Sequence, residues 1–432
     1  MKCLAPDYIY TPRGMQSHML ISISNDGRIT SVAGLDSSSS IPSGIIETLP
    51  NMLLLPGFVN THSHIFQRAL RGHTHRPLSA HDSFWTWRQA MYAIANRLNP
   101  DNLYEVALCG YREMLKAGYT SVGEFHYVHH QPDGRPYANP NVMAEAVLSA
   151  GRDAGIRVVL LMTAYVQGGL NQSLEEGQRR FCDASVEAYL TRVDVLRVAG
   201  IPVGVAPHSV RAVPEAWICP IADYSRTHAL PLHIHADEQK AEIKQCQEIY
   251  GCTPIELLER YGVLGPLTSI IHATHANEVE IALLQQEECT VCVCPTTEAD
   301  LGDGIAPYAE LVAAGIPLAI GSDSNTRLDP FEELRWAEYS ARMRYEQRRI
   351  LVRKKHASPG PFLLDMGTRR GASALGLESG VIAPGMFADF VAIDLSHPML
   401  RGWNVDDLLD MLFFGASSEV IKQVWVAGKE VG

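Results

Sequence analysis

The sequence predicts an α/β protein, a (β/α)8 TIM barrel with a small β-sandwich domain built from both termini. Two observations lead to this fold class. Eight short apolar segments alternate with helix-like stretches through the middle of the chain, and strand-like segments with turn residues occupy both ends. Apolar strands that alternate with helices form parallel β/α units, and eight such units close into a barrel.

The bulk composition is that of a folded protein of about two domains. The chain has 432 residues, of which 46% are apolar and 19% are charged. These values supply a large core and give no indication of disorder, while the length favours one large domain with a smaller one attached. The formal net charge of −12 is modest for this length, so we expect no nucleic-acid partner and no acidic membrane partner.

The start of the chain and the cysteines bear on the compartment. The first residues lack an apolar signal core, and no run of about 18 apolar residues is present, so we expect a cytoplasmic protein. The nine cysteines form no regular framework, which is consistent with reduced thiols. Cys289, Cys292 and Cys294 lie close together, but the second half of a zinc motif is missing; we favour a buried strand over a metal site.

Both ends of the chain carry strand patterns. Residues 21–30 are predicted to form a hairpin with an Asp-Gly turn. Residues 380–394 and 424–428 have the same character, and residues 37–40, all serine, are expected to be a loop. The predicted domains are residues 1–55 with 378–432, the small β-domain, and residues 56–377, the catalytic barrel.

Six of the eight apolar segments of the barrel have candidate site residues at or just after their ends. The eight segments are residues 52–60, 121–125, 157–163, 202–207, 230–235, 269–272, 290–294 and 317–321. In a barrel of this kind the catalytic groups lie at the carboxyl ends of the strands. The polar residues that should therefore meet at one mouth are His62, His64, Glu124, His126, Tyr127, His208, His235, His272 and Asp323.

A metal site is predicted from this convergence. His62 and His64 are two residues apart, so in an extended strand both imidazoles point to the same side. His235 and Asp323 would complete a shell of three nitrogens and one oxygen, which suits Zn²⁺ with water as a further ligand. The alternative is a set of surface or core histidines that never meet.

Four stretches around these residues resemble the amidohydrolase superfamily. They are PGFVNTHSH at 56–64, HIHADE at 233–238, HATH at 272–275 and GSDS at 321–324. The resemblance spans nearly the whole chain. Binuclear members carry a bridging lysine, usually at strand four, but that strand here ends VAPHS at 205–209. The resemblance therefore implies one zinc ion per subunit, as in the deaminase branch, and it implies a homodimer.

Further stretches are similar to the formimidoylglutamate deiminase family, which acts in histidine degradation. They are HIFQRA at 64–69, SFWTWR at 83–88, EFHYVHH at 124–130, APHSVRAV at 206–213 and CPTTE at 294–298. The implied reaction is hydrolytic deimination of N-formimino-L-glutamate to N-formyl-L-glutamate and ammonia. The resemblance also implies that Gln67, Tyr127 and His208 contact the substrate. One departure is Asp237, where a small or apolar residue is expected before the glutamate.

The chemistry of this substrate requires cations in the pocket. N-formimino-L-glutamate carries two carboxylates, and Arg88 and Arg211 can each bind one with a planar guanidinium. For Arg88 the alternatives are stacking on a neighbouring tryptophan or a surface ion pair, and His208 could merely cap a strand. His126, His129 and His130 are expected to hold loop or supporting positions; the three residues are not expected to be ligands.

Three residues are predicted to carry the chemistry. Asp323 accepts a proton from the attacking water, His272 orients that water, and Glu238 delivers a proton to the departing nitrogen. Glu238 could instead only orient His235, and His275 competes with His272 in the same motif. We prefer His272 because it directly follows an apolar strand.

Two rival functions remain open. Another deaminase of this type could act on a nucleobase or related ring, although paired arginines do not suit such a ring. A non-catalytic barrel scaffold would have lost metal ligands or the proton carrier, and this chain keeps them. The sequence leaves open whether iron or manganese replaces zinc, and how broad the substrate range is.

Overall fold

The structure, a computed structural model, describes residues 2–35, 45–75, 84–352 and 357–431. The predicted loop at residues 37–40 lies outside these ranges. Within them, no helix is both long and apolar enough to cross a membrane. The cytoplasmic location stays a prediction.

The strands of the described residues divide into two sheets. The strands are β1 Lys2–Thr11, β2 Gly14–Ser17, β3 Met19–Ile23, β4 Ile29–Gly34, β5 Ile45–Pro56, β6 Phe58–Ser63, β7 Tyr119–His126, β8 Arg157–Ala164, β9 Val203–Pro207, β10 Leu232–Ala236, β11 Thr268–His272, β12 Thr290–Val293, β13 Leu318–Ile320, β14 Phe390–Asp394, β15 Ile421–Val426 and β16 Lys429–Val431. Strands β6 to β13 form one sheet and the others form the second.

Strands β6 to β13 form a parallel barrel in chain order. A parallel bridge between Ser63 and Asp323 joins its two edges. At this seam the His64 amide donates to the Asp323 carbonyl at 2.9 Å, and the Asp323 amide donates to the His62 carbonyl at 3.0 Å. The predicted barrel is confirmed, and its closing hydrogen bonds involve three of the predicted metal ligands.

Helices follow the barrel strands, and the last helix follows β14 of the second sheet. They are α1 Phe84–Ala95, α2 Pro100–Lys116, α3 Val142–Ala154, α4 Val186–Val198, α5 Glu215–His228, α6 Lys240–Tyr250, α7 Pro254–Arg260, α8 Glu278–Gln286, α9 Pro295–Leu301, α10 Tyr308–Ala313, α11 Pro330–Tyr345, α12 Gly360–Asp365, α13 Gly371–Ala374 and α14 Leu408–Gly415. One large apolar core is formed between strands and helices. This rigid framework fixes the strand ends at which the candidate site lies.

The second sheet combines strands from both termini. Its order is β16-β15-β14-β5-β1-β3-β4, with β2 beside β1. The predicted hairpin is present as β3 and β4, which pair antiparallel. Gly27, in the turn of this hairpin, has φ +81°, and a Cβ there would lie 2.4 Å from the Ala427 carbonyl oxygen. Only glycine therefore fits where the N-terminal hairpin packs against the C-terminal strands. The small β-domain of the predicted fold class is thus confirmed.

The first apolar segment, residues 52–60, was expected to be one barrel strand, and this is wrong. It contains the end of β5, which pairs with β14 in the second sheet, and the start of β6 in the barrel. Gly57 separates them, at a point where a Cβ would lie 2.2 Å from Thr120 Oγ1. The end of β5 and the whole of β6 are buried, so hydrophobicity does not reveal the change of sheet. The predicted domain limits stay a prediction.

Two further strands are shorter than the sequence patterns that predicted them. Of residues 380–394, only Phe390–Asp394 is a strand. The cysteine-rich segment contains the buried strand Thr290–Val293, and Cys292 and Cys294 pack with Ile271 in a small apolar cluster.

Candidate metal centre and substrate pocket

Four side chains converge at the carboxyl end of the barrel. His62 lies in β6 and His64 directly follows it, so the alternation of the strand turns both rings inward; the ring centroids are 4.7 Å apart. His235 lies in β10, and Asp323 follows β13. Asp323 has φ +45°, a left-handed backbone conformation that is uncommon outside glycine and that aspartate adopts more readily than most residues.

The ligand atoms of these four residues lie within 4.8 Å of one another. Asp323 Oδ1 is 3.3 Å from His62 Nε2 and 3.2 Å from His64 Nε2. His235 Nε2 is 3.1 Å from His62 Nε2. Three imidazole nitrogens and a carboxylate at these distances surround a point where a cation would be close to all of them.

Hydrogen bonds and burial keep these histidines neutral, which is the form that binds a metal ion. His64 Nδ1 lies 3.0 Å from the Phe125 carbonyl oxygen and His235 Nδ1 lies 2.9 Å from that of His208. A carbonyl accepts the Nδ1 proton and so leaves the Nε2 lone pair directed at the centre. Burial lowers the pKa of His62 to about 3 and that of His235 well below its usual range. The four residues therefore fit a divalent metal ion.

His272 lies beside this cluster at the end of β11. Its Nε2 is 3.7 Å from Asp323 Oδ2 and 3.9 Å from Glu238 Oε1. On the other side, Nδ1 is 3.3 Å from Glu298 Oε1. Burial favours the neutral ring, but the hydrogen bond to Glu298 and the charges of the nearby carboxylates raise the pKa of His272 to about 10.

His275, the competing residue of the same motif, is partly exposed and does not line the pocket. His272, Cys294 and Asp323 also have ligand atoms within 4.8 Å of one another. Cys294 is fully buried, and burial raises the pKa of its thiol well above the usual value, so it stays a neutral neighbour of the centre.

Glu238 connects the metal end of the pocket with Arg211. Its Oε2 accepts a hydrogen bond from Arg211 Nη2 at 2.9 Å, while Oε1 faces His272. Arg211 Nε lies 3.1 Å from Glu242 Oε1. All three charged side chains are buried, which requires that they be paired.

One pocket is lined both by three of the four candidate metal ligands and by the predicted substrate residues. The predicted residues that line it are His64, Gln67, Arg88, Tyr127, His208, Arg211, His235, Glu238, His272 and Asp323. His62 is fully buried and holds the cluster from below. Residues that are far apart in sequence are thus brought together in a single pocket at the carboxyl end of the barrel.

The predicted substrate residues contact one another inside the pocket. Gln67 Nε2 donates to the Tyr127 hydroxyl at 3.0 Å. His208 stacks on His235, with ring centroids 4.8 Å apart, which is more than a strand cap requires.

Arg88 lies on α1 and lines the pocket. Its Nη2 is 3.8 Å from Glu175 Oε1, and its guanidinium carbon is 5.6 Å from the centre of the Tyr92 ring. The ion pair that the sequence analysis gave as an alternative for Arg88 is therefore present, but its distance is long. Arg88 still lines the pocket.

Three histidines on the second barrel strand and its loop lie apart from the pocket. His129 Nε2 is 2.7 Å from the Thr163 carbonyl oxygen, and His130 Nε2 is 3.1 Å from Asp183. His126 packs against His129, with ring centroids 5.3 Å apart. None of the three is in the pocket lining.

The sequence did not single out several residues that complete the site. Glu242 lies in the first turn of α6, four residues after Glu238, and Glu298 lies inside the 294–298 stretch. Tyr92, Tyr165 and Trp87 also line the pocket; they come from elements whose packing the sequence pattern does not reveal.

A barrel with three histidines and an aspartate at its carboxyl end is typical of metal-dependent hydrolases. Comparison with known proteins gives the family within this class. Residues 53–431 match the amidohydrolase family, and the chain belongs to that family.

Relatives agree with this assignment. The chain is 37% identical to the formimidoylglutamate deiminase of Pseudomonas aeruginosa, over 100% of this chain and 94% of that protein. It is 30% identical to the 5'-deoxyadenosine deaminase of Methanothermobacter thermautotrophicus, over 85% and 80%. The crystal structure of an amidohydrolase from Brucella melitensis superposes with a TM-score of 0.90 at 33% identity, covering 100% of this chain and 94% of that one.

Proposed function

We propose that this protein hydrolyses N-formimino-L-glutamate to N-formyl-L-glutamate and ammonia. The observation that carries the proposal is the presence of Arg88 and Arg211 in the same pocket as the candidate metal cluster. Two guanidinium groups suit a substrate with two carboxylates. The full-length similarity to the Pseudomonas aeruginosa deiminase supports the same substrate.

The two arginines are assigned to different carboxylates. Arg211 is bonded to Glu238, which faces His272, so it lies close to the reacting group. We assign it to the carboxylate on the carbon that bears the formimino nitrogen. Arg88 contacts Tyr92 and Glu175 on the other side, and we assign it to the side-chain carboxylate, with Gln67, Tyr127 and His208 completing the contacts.

We propose zinc as the metal, one ion per subunit, held by His62, His64, His235 and Asp323. Three imidazoles and one carboxylate are ligands that zinc prefers. No lysine is present at the end of β9, Val203–Pro207, or in the two residues after it, which favours a single ion. When bound, a divalent metal supplies Lewis-acid activation of water and of the substrate.

The chemical steps are assigned to three side chains. Asp323 takes a proton from the water that attacks the formimino carbon. His272, within 4 Å of both Asp323 and Glu238, orients that water and stabilises the negative charge that develops. Glu238 delivers one proton to the imino nitrogen, and Asp323 passes the proton it took from water to the same nitrogen. The hydroxyl on the carbon returns a proton to Glu238 as the bond between carbon and this nitrogen breaks, and ammonia leaves.

The test is ammonia release from a panel of substrates by the metal-loaded protein. N-formimino-L-glutamate should be turned over far faster than N-formimino-L-aspartate, and nucleobases and adenosine derivatives should not react. Preference for a ring substrate, or no turnover of N-formimino-L-glutamate by protein shown to contain metal, would contradict the proposal.

A ring deaminase is the second candidate, because Trp87, Tyr92, Tyr127 and Tyr165 give the pocket aromatic walls and an adenosine-type deaminase is among the relatives. Aromatic walls stack on rings. The two arginines have no role with an uncharged ring, however, and the same panel separates the two functions.

We also propose a homodimer. Trp336, Tyr339 and Met343 lie at helical spacing on α11 and are 39%, 38% and 63% exposed, a clustering of apolar surface that is common at subunit contacts. Sedimentation should give twice the mass of 47.5 kDa, and Met343→Asp should shift the protein toward the monomer. A wild-type monomer at micromolar concentration would exclude this assembly.

A further inference from the structure

Arg211 is held from two sides by buried carboxylates. Its Nη2 donates to Glu238 at 2.9 Å, and its Nε lies 3.1 Å from Glu242 Oε1. Glu238 is part of the proposed chemistry, whereas Glu242 is fully buried and is not among the residues that line the pocket. Glu242 therefore contacts Arg211 from behind, on the side away from the substrate.

A buried glutamate at this position needs an explanation. Burial raises the pKa of Glu242, and the charge of Arg211 opposes that shift. An uncharged side chain of the same shape would avoid the cost of burying a carboxylate. What the carboxylate adds is a negative charge 3.1 Å from Nε, and this buried ion pair holds that side of the guanidinium away from the pocket, so that the Nη edge faces the substrate.

We propose that Glu242 is a positioning residue that directs Arg211 toward the substrate carboxylate next to the formimino group. Without Glu242, the guanidinium is free to rotate onto its other carboxylate partner, Glu238. Arg211 would then be turned away from the substrate and would bind the proton carrier more tightly. Glu242 in this way determines the preference for substrates that carry this carboxylate. The proposal rests on the proposed function.

The test compares two substrates that differ only in that carboxylate. N-formimino-L-glutamate carries it, and 4-(formimidoylamino)butanoate lacks it. Selectivity is the ratio of their kcat/KM values. In Glu242→Gln the selectivity should fall at least about tenfold, mostly through a higher KM for the dicarboxylate, because a hydrogen bond to a charged group is worth about that factor. Glu242→Asp should recover part of it.

Controls separate positioning from a general loss of structure. Glu280→Gln changes another buried glutamate, on the neighbouring helix α8, whose carboxylate accepts the Asn277 amide at 2.8 Å; its selectivity should match the wild type. In an Arg211→Ala background, Glu242→Gln should cause no further loss of selectivity, since the two residues act together. If both substrates lose activity equally in Glu242→Gln, the proposal is overturned.

Two further measurements keep the outcome clear. Calorimetric binding of N-formyl-L-glutamate should weaken by a similar factor in Glu242→Gln while metal content is unchanged, and this readout does not depend on turnover. If Glu242→Gln does not fold, Glu242→Asp decides, because unchanged selectivity there would overturn the positioning role. Failure of the wild type to act on N-formimino-L-glutamate would instead reject the proposed function.

Discussion

The metal end of the pocket is built on strands, whereas the end that carries the arginines is built on a helix and a loop. His62 and His235 lie within barrel strands, and the seam hydrogen bonds of the barrel run through His64 and Asp323. Arg88 lies on α1, and Arg211 follows β9 in a loop. The first set is fixed by the backbone of the barrel, and the second is fixed by side-chain contacts.

This difference suggests how the two ends contribute to function. Strand ends in a barrel keep their relative positions in spite of changes elsewhere, so they hold the groups that carry out the reaction. Loops and outer helices change without altering the barrel, so they select the substrate. Substitutions at the metal end should therefore lower kcat, and substitutions at the arginine end should raise KM.

The largest effect should come from removing the metal. Chelation followed by dialysis should lower ammonia release by at least about 10³-fold, because Lewis-acid activation contributes several kcal/mol to the barrier. N-formyl-L-glutamate should still bind within a few-fold, since the arginines stay in place. Metal analysis, ammonia release and calorimetry on the same preparation measure the three quantities.

Addition of zinc should restore turnover to the chelated protein. Asp323→Ala offers a matched variant, because it removes the carboxylate that lies 3.2 to 3.3 Å from two of the histidines. Full activity in metal-free protein, or in this variant, would break the assignment of chemistry to the metal end.

Glu238→Gln should give the next largest effect. Glutamine keeps the shape and accepts the Arg211 hydrogen bond, but it cannot carry a proton, so kcat should fall about 10²–10⁴-fold. Metal content should stay at the wild-type level. A metal-loaded Glu238→Gln protein with normal turnover would remove Glu238 from the mechanism.

The arginines should show the reverse pattern. Arg88→Ala and Arg211→Ala should each raise the KM for N-formimino-L-glutamate by about 10- to 100-fold, as expected for loss of a charged hydrogen bond to a carboxylate. Steady-state kinetics with each variant measures the effect, and Arg88→Lys and Arg211→Lys should recover only part of it, because lysine lacks the planar fork. Unchanged kinetics in both alanine variants would exclude the dicarboxylate substrate.

The difference between residues on strands and residues on loops also explains which parts of the site could be predicted from the sequence. Spacing alone indicated that His62 and His64 face one side, and the alternation of strands and helices placed His235 and Asp323 at the same mouth. The roles of Gln67 and Tyr127 came only from resemblance, because no periodic pattern relates residues in loops. Glu242 was missed, since its contact with Arg211 depends on how a helix packs beside a loop. The break at Gly57 was missed because both flanking strands are apolar.

The smallest effect on activity should come from Glu124, a buried carboxylate beneath the metal end. It accepts the Ile65 amide at 2.7 Å and the Ser63 hydroxyl at 2.9 Å, and burial raises its pKa from 4.5 to about 8. Glu124→Gln keeps an acceptor for the Ile65 amide, so kcat and KM should each change less than about threefold.

The effect of Glu124 should be seen instead in the pH dependence of stability. Between pH 4.5 and about pH 8 the folded protein holds a proton on Glu124 that the unfolded chain has released, so the wild type should lose stability as the pH rises through this window. Relative to Glu124→Gln the loss should be on the order of 5 kcal/mol. Urea unfolding of both proteins at several pH values measures it. Parallel curves would show that Glu124 is ionised in the folded state, and that the support beneath the metal end is a charged one.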